Sequence, residues 1–102
     1  MPDIALEDRT VLQLAEDLRG GRTSAAALAE AAIANHEAGD ATFGAYKTWD
    51  PARFRAEAEI ADRAFAANFD LGPLQGIPVS VKDLYGVRGY PTFAGSPREL
   101  PQ

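Results

Sequence analysis

The sequence predicts an α/β fold, a mixed β-sheet core flanked by helices, of which only the first part is present. Three observations carry that reading. Three segments show helical start signals and helical spacing, and two short runs rich in aromatic and β-branched residues read as strands. The second of these strands is followed by turn residues rather than by a partner strand. Helix–helix–strand–helix–strand is too little sheet to close an α/β core, so residues 1–102 are expected to be the N-terminal segment of a larger domain.

The first helix is expected over 10–19. Thr10 and Gln13 have the spacing of a capping box, Val11, Leu14, Ala15 and Leu18 recur on one face, and Gly20–Gly21 ends the element. A second helix, over 24–38, starts at Thr23 or Ser24. It carries Leu28, Ala31, Ala32 and Asn35 on one side, with Gly39 beyond its end. Its alanine-rich face is thin and allows a neighbour to approach closely. "TFGAYKTW" then predicts a strand over 43–48. Asp50–Pro51 opens the third helix, over 51–69, with an N-cap side chain and a proline at the first helical position. Phe54, Ala58, Ala61, Phe65 and Phe69 trace one face of it and read as core. A second strand is expected over 77–82 and a glycine- and proline-punctuated loop over 83–102.

Composition excludes several functions. Ten Lys+Arg against fifteen Asp+Glu give a net charge of −5, and the basic residues are scattered, which argues against direct nucleic-acid binding or an anionic membrane surface. There is no cysteine, and the single histidine, His36, cannot build a zinc site without several converging carboxylates; it reads as an exposed residue near a helix end. The glycines form neither G-x-G-x-x-G nor a P-loop, so no cofactor is expected. "MPDIALEDRT" is acidic where a signal peptide is basic, and no apolar run is long enough to span a bilayer; a cytoplasmic protein is expected.

The serines available as nucleophiles are Ser24, Ser80 and Ser96, but no G-x-S-x-G elbow surrounds any of them. Lys82 is the more informative residue. In a strand, Ser80 and Lys82 share one face and Val79 and Val81 the other. If the valine face packs on the core, a desolvated lysine on the opposite face can give up its proton and serve as a base. The plain alternative is a strand-end lysine that reaches water or pairs with Asp83. The spacing admits both.

The stretch "GPLQGIPVSVKDLYGVRGYPTFAGS", 72–96, resembles the lysine-bearing segment of the amidase signature family. Gly76, Ile77, Pro78, Val79, Val81, Lys82 and Asp83 match its G-I-P-hydrophobic-x-hydrophobic-K-D core. Thr92, Ala94, Gly95 and Ser96 match the T-x-A-G-S end of the following loop. The resemblance extends more weakly to the "G-x-x-[ST]-[AS]" start at Gly21–Ala25, to "FGAYKTWD" and to the long helix after it.

The resemblance implies an amide C–N hydrolase with a Ser–Ser–Lys triad. The residue matching Lys82 is neutral at rest and takes a proton through a bridging serine; the second serine attacks the amide carbonyl to form an acyl-enzyme. It implies a supporting hydrogen-bonding role for Asp83 beside the lysine and a place for Ser96 in the substrate-facing wall. Both catalytic serines are expected from the remainder of the enzyme or from a second chain, so residues 1–102 alone are expected to be inactive. The expected partner is a small-molecule amide; a homo-oligomer is allowed. Two other readings are the A subunit of a glutamine-dependent tRNA amidotransferase, and an inactive fragment or interaction piece in which Lys82 is merely structural.

Overall fold

Thr10 begins the first helix by local chemistry. Its hydroxyl accepts from the Gln13 N–H at 3.1 Å, and the Gln13 side-chain oxygen accepts from the Thr10 N–H at 2.9 Å. Two donors that a helix start leaves orphaned are thereby satisfied reciprocally. In the computed structural model, which describes residues 6–101 apart from the side chains at 40, 41 and 43, this helix, α1, spans Val11–Arg19. A 3-10 turn, Leu6–Asp8, precedes it.

The second helix, α2, spans Ala25–Phe43, and the third, α3, spans Pro51–Ala66. The start of α2 is capped from two directions. Ser24 Oγ accepts from the Ala27 N–H at 3.0 Å, while the Asp62 carboxylate, on α3, accepts from Ala25 and Ala26 N–H at 2.7 and 3.0 Å. A negative charge at the positive end of the helix dipole stabilises it. Here that charge also ties α2 to α3. Asp50 caps α3 in turn by accepting from the Arg53 N–H at 3.1 Å, with Pro51 at the first helical position. Asn68, at φ 63°, ends α3, and the Phe69 N–H returns to the Ala64 carbonyl at 2.8 Å.

The helices bury two adjoining clusters. Leu14 and Leu18 of α1 meet Leu28 of α2, with Leu6, Phe65 and Ile77 packed against them. Ala25, Ala29 and Ala58 form the second cluster, flanked by Phe54 and Ala61. Alanine against alanine lets α2 and α3 approach closely. Leu28 has no exposed surface, a burial worth about 1.5–3 kcal/mol.

The expected mixed β-sheet core is not there. Among the described residues there are three helices, one 3-10 turn and no β-strand. Phe43 closes α2; 44–48 and 77–82, expected as strands, are irregular or extended without a pairing partner. A strand is completed by hydrogen bonds to a neighbour, and among the described residues no backbone hydrogen bond joins these two segments. The pairing present is one antiparallel bridge between Thr92 and Leu100. The valine face is also not packed on the core: Val79 and Val81 are 65% and 52% exposed.

Two smaller expectations are corrected. The buried stripe of α2 is Ala25, Leu28, Ala29 and Ile33, not the face through Ala31, Ala32 and Asn35. Phe69 lies past the end of α3 and is exposed, because Asn68 turns the chain away before the stripe reaches it.

Candidate active site

The segment bearing Lys82 is delivered by a series of anchors after α3. Arg19 grips Asp70 with two donors, each at 2.7 Å, and donates to the Gly72 carbonyl at 2.8 Å. That bidentate geometry, with a further bond from the Gly72 N–H, holds the Asp70 carboxyl below its ordinary range and raises the Arg19 guanidinium. Gln75 then brackets the turn, its oxygen accepting from the Leu71 N–H and its nitrogen donating to the Phe69 carbonyl.

Gly76 follows, pressed against the core. Its φ is +81°, and a Cβ there would sit 3.0 Å from Phe65 Cε2 and 3.1 Å from Leu18 Cδ1. The first glycine of G-I-P is therefore needed twice, for its left-handed backbone and for its lack of a side chain. Ile77 inserts beside it into the leucine cluster. From that fixed point the chain runs out through Val79 and Val81 to Lys82.

Beyond Lys82 the chain leaves and returns. The Lys82 carbonyl accepts from the N–H groups of Leu84 and Tyr85 at 2.8 and 3.2 Å, which makes a tight turn. The Asp83 carboxylate accepts from the Phe93 N–H at 3.0 Å, and the Asp83 carbonyl accepts from the Ala94 N–H at 2.8 Å. Thr92, buried, donates its hydroxyl to the Tyr85 carbonyl at 3.2 Å. The K-D and T-F-A-G halves of the motif, ten residues apart, are thus fastened together at the neck of one loop. Ala94 and Gly95 both have positive φ, 50° and 80°, where the loop closes.

Lys82 and Asp83 line a cavity of about 750 Å³. Its wall includes Tyr46, Lys47 and Trp49 from the segment before α3, Phe54 and Glu57 from α3, and Tyr85 and Tyr90 from the loop. Lys82 is exposed, and its ammonium has no hydrogen bond or ion pair among the described residues. It does not pair with Asp83, whose carboxylate is engaged by Phe93. Ser80 also lines the cavity, whereas Ser96 does not. The Ser96 oxygen instead accepts from the Arg98 N–H at 3.1 Å in a local turn. The structure places Lys82 and Asp83 in the cavity wall and leaves Ser96 just past the loop neck, outside that wall.

His36, expected to be exposed, is half-buried and stacks on Trp49 with ring centroids 3.7 Å apart. Tyr46 meets it edge-on at 5.5 Å. Among the described residues no group of three or more His, Cys, Asp or Glu is placed to hold a metal ion, and no helix is long and apolar enough to cross a membrane. Tyr90 at the cavity wall is held above its ordinary pKa, first by desolvation and then by the Glu57 charge.

The family model for Amidase matches residues 27–100. The chain belongs to the amidase family. Its match runs from α2 through the cavity wall to the end of the lysine loop, so the site lies wholly within the family's shared region. The chain is similar to 2-amino-5-chloromuconic acid deaminase of Comamonas testosteroni, 48% identical over 94 residues, covering 89% of this chain and 20% of that protein. It is 40% identical over 92 residues to the A subunit of glutamyl-tRNA(Gln) amidotransferase of Granulibacter bethesdensis, covering 90% of this chain and 18% of that one. To the AtzE subunit of 1-carboxybiuret hydrolase of Pseudomonas sp. (strain ADP) it is 38% identical over 85 residues, 83% of this chain and 19% of that one. The chain thus spans about a fifth of the length of the curated relatives it matches. No solved structure matches it significantly.

Sequence reasoning passed over Arg53, Glu57, Tyr90 and Trp49. Their signal was weak: charged residues on a helix read as a solvated face, and Tyr90 sits among turn residues. The glycine before Tyr90 was the usable hint, since glycine marks places where the backbone takes a positive φ, and Gly89 has φ +85°.

Proposed function

We propose that the complete protein hydrolyses the C–N bond of a small-molecule amide as a Ser–Ser–Lys hydrolase, with Lys82 as its base. The observation that carries this is the ammonium of Lys82, unpaired among the described residues, at the wall of the 750 Å³ cavity while Asp83 is occupied with the loop. A carboxylate paired to that lysine would hold its proton in place. With Asp83 turned to Phe93, the lysine stands in the cavity wall without a carboxylate partner among the described residues, as the base of this reading requires.

In this reading neutral Lys82 takes a proton, through a bridging serine, from a nucleophilic serine, and that serine's oxygen bonds to the amide carbon. The C–N bond breaks, the leaving nitrogen receives the proton, and ammonia or an amine departs. Water then attacks the acyl-serine ester, giving the carboxylic acid and the free serine. Both serines come from the remainder of the protein or from a second chain. Asp83 holds the loop neck, and Ser96 makes a local turn just past it.

A second reading has a specific observation behind it. Several relatives at 33–40% identity are A subunits of glutamyl-tRNA(Gln) amidotransferase. In that reading the amide is glutamine and turnover requires partner subunits. The test is ammonia release by the purified complete protein from a panel of small amides, including carboxylated amides and glutamine, with intact mass following the acyl adduct. Turnover without partners and a serine-borne adduct support the free-standing amidase. Glutamine turnover that appears only with partner subunits supports the second reading. No amide hydrolysis under either condition overturns both.

A further inference from the structure

Asp83 closes the loop on itself, but that closure does not by itself place the loop against the helices. A contact between α3 and the turn 88–90 does. Arg53 donates from Nη2 to the Arg88 carbonyl at 3.2 Å, and its guanidinium carbon lies 5.0 Å from the Tyr90 ring centroid. Arg53 Nε is 3.5 Å from Glu57 Oε1, and the Tyr90 hydroxyl donates to Glu57 Oε2 at 3.4 Å. Between Arg88 and Tyr90, a Cβ on Gly89 would fall onto the Arg53 guanidinium. One arginine thus bonds the turn's backbone, lies over its tyrosine and fills the space its glycine leaves.

The root of that side chain is rigid. Arg53 is in the first turn of α3, and its own N–H is held by the Asp50 cap. Its Nε is buried without a hydrogen bond and faces Glu57 in an ion pair, so the turn itself is held by Nη2 and the flat face. Lysine offers neither a planar face nor a forked donor set. Tyr90, Val87, Tyr85 and Lys82 all line the same cavity, and the Tyr90 N–H bonds the Val87 carbonyl at 3.0 Å. Movement of the 88–90 turn therefore moves the wall that carries the lysine.

We propose that Arg53 is a positioning residue for Lys82, locking the 88–90 turn onto α3 and so holding the lysine loop at the cavity wall. The inference rests on the reading of Lys82 as the base. It is tested in the complete enzyme with Arg53→Gln, Arg53→Lys, Gly89→Ala, Lys82→Ala and, on the opposite side of α3, Arg55→Gln. Arg55 pairs with Glu30 and does not touch the loop. Amide hydrogen exchange across 84–94 is read alongside kcat, KM and the pH profile of kcat.

Arg53→Lys and Gly89→Ala are each expected to speed exchange across 84–94 by roughly tenfold or more, with α2 unchanged. They are expected to lower kcat about ten- to a hundredfold with KM changed less than about threefold, as a displaced catalytic group does. Arg55→Gln moves neither readout. Arg53→Lys carries the test where the glutamine variant does not fold. Unchanged exchange in Arg53→Lys and Gly89→Ala overturns the proposal, as does faster exchange with unchanged kcat. An active Lys82→Ala overturns the base reading and the proposal with it; an inactive Lys82→Ala beside a fully active Arg53→Lys removes only the role of Arg53.

Discussion

The Asp83 carboxylate accepts from the Phe93 N–H at 3.0 Å while the Asp83 carbonyl accepts from the Ala94 N–H at 2.8 Å. One residue thereby closes a loop with both its side chain and its backbone, directly after the lysine. Asp83→Ala removes the carboxylate and leaves a partly buried N–H without its partner, a loss of about 1–3 kcal/mol. Asp83→Asn keeps an acceptor oxygen and is expected to lose less. Hydrogen exchange at the Phe93 amide reads the difference: fast in the alanine variant, intermediate in the asparagine variant. Equal protection in all three proteins contradicts this role.

Gly76→Ala is expected to be among the most disruptive single-methyl changes in the chain. The added Cβ meets Phe65 and Leu18 at 3.0 and 3.1 Å in a backbone with φ +81°. Overpacking and left-handed strain together cost about 2–4 kcal/mol. Thermal unfolding checks it against Gly86→Ala, where a Cβ meets nothing within 4 Å. Similar melting temperatures for the two variants would contradict the packing argument.

Asp62 is a helix cap supplied from another helix. Asp62→Ala leaves the Ala25 and Ala26 N–H groups without their acceptor and unties α2 from α3, a loss of about 1–2 kcal/mol. Asp62→Asn, which keeps one acceptor, is expected to retain part of it. Denaturant midpoints of the three proteins rank the effect. An alanine variant as stable as the parent would show that Ser24 alone suffices.

The Arg19–Asp70 pair gives an acid-dependent contribution. Hydrogen bonding from Arg19 lowers the folded-state pKa of Asp70. The stabilisation is therefore present above the unfolded aspartate value, about pH 4, and is lost as pH falls through the lower folded value. Acid unfolding of the parent is expected to be steeper than that of Asp70→Asn, with the two curves converging at the lowest pH. Both side chains are partly exposed, so added salt narrows the difference. Parallel curves at low salt would contradict the assignment.

Local chemistry was legible in the sequence, and its long-range completion was not. Thr10 with Gln13 and Asp50 with Pro51 are readable because a cap is settled within four residues. The mixed sheet was misread because "TFGAYKTW" and "IPVSV" carry strand composition, and composition does not supply a partner for the backbone. The buried stripe of α2 was hard to assign because alanines lie on every side of that helix and give little contrast. At the site, the K-D and T-x-A-G-S pieces were visible as separate motifs, but their joining through Asp83 and Phe93 was not. Arg53 was invisible for the same reason: its partners, Arg88 and Tyr90, lie more than thirty residues away.

The central claim is that Lys82 is the base of the complete enzyme. The most direct measurement is single-turnover release of ammonia from the preferred amide by the parent and by Lys82→Ala, with circular dichroism showing that both are folded. The claim predicts a fall of about 10⁴-fold or more in the rate of acyl-enzyme formation, as loss of a triad member gives. A folded Lys82→Ala protein within about tenfold of the parent rate would contradict it.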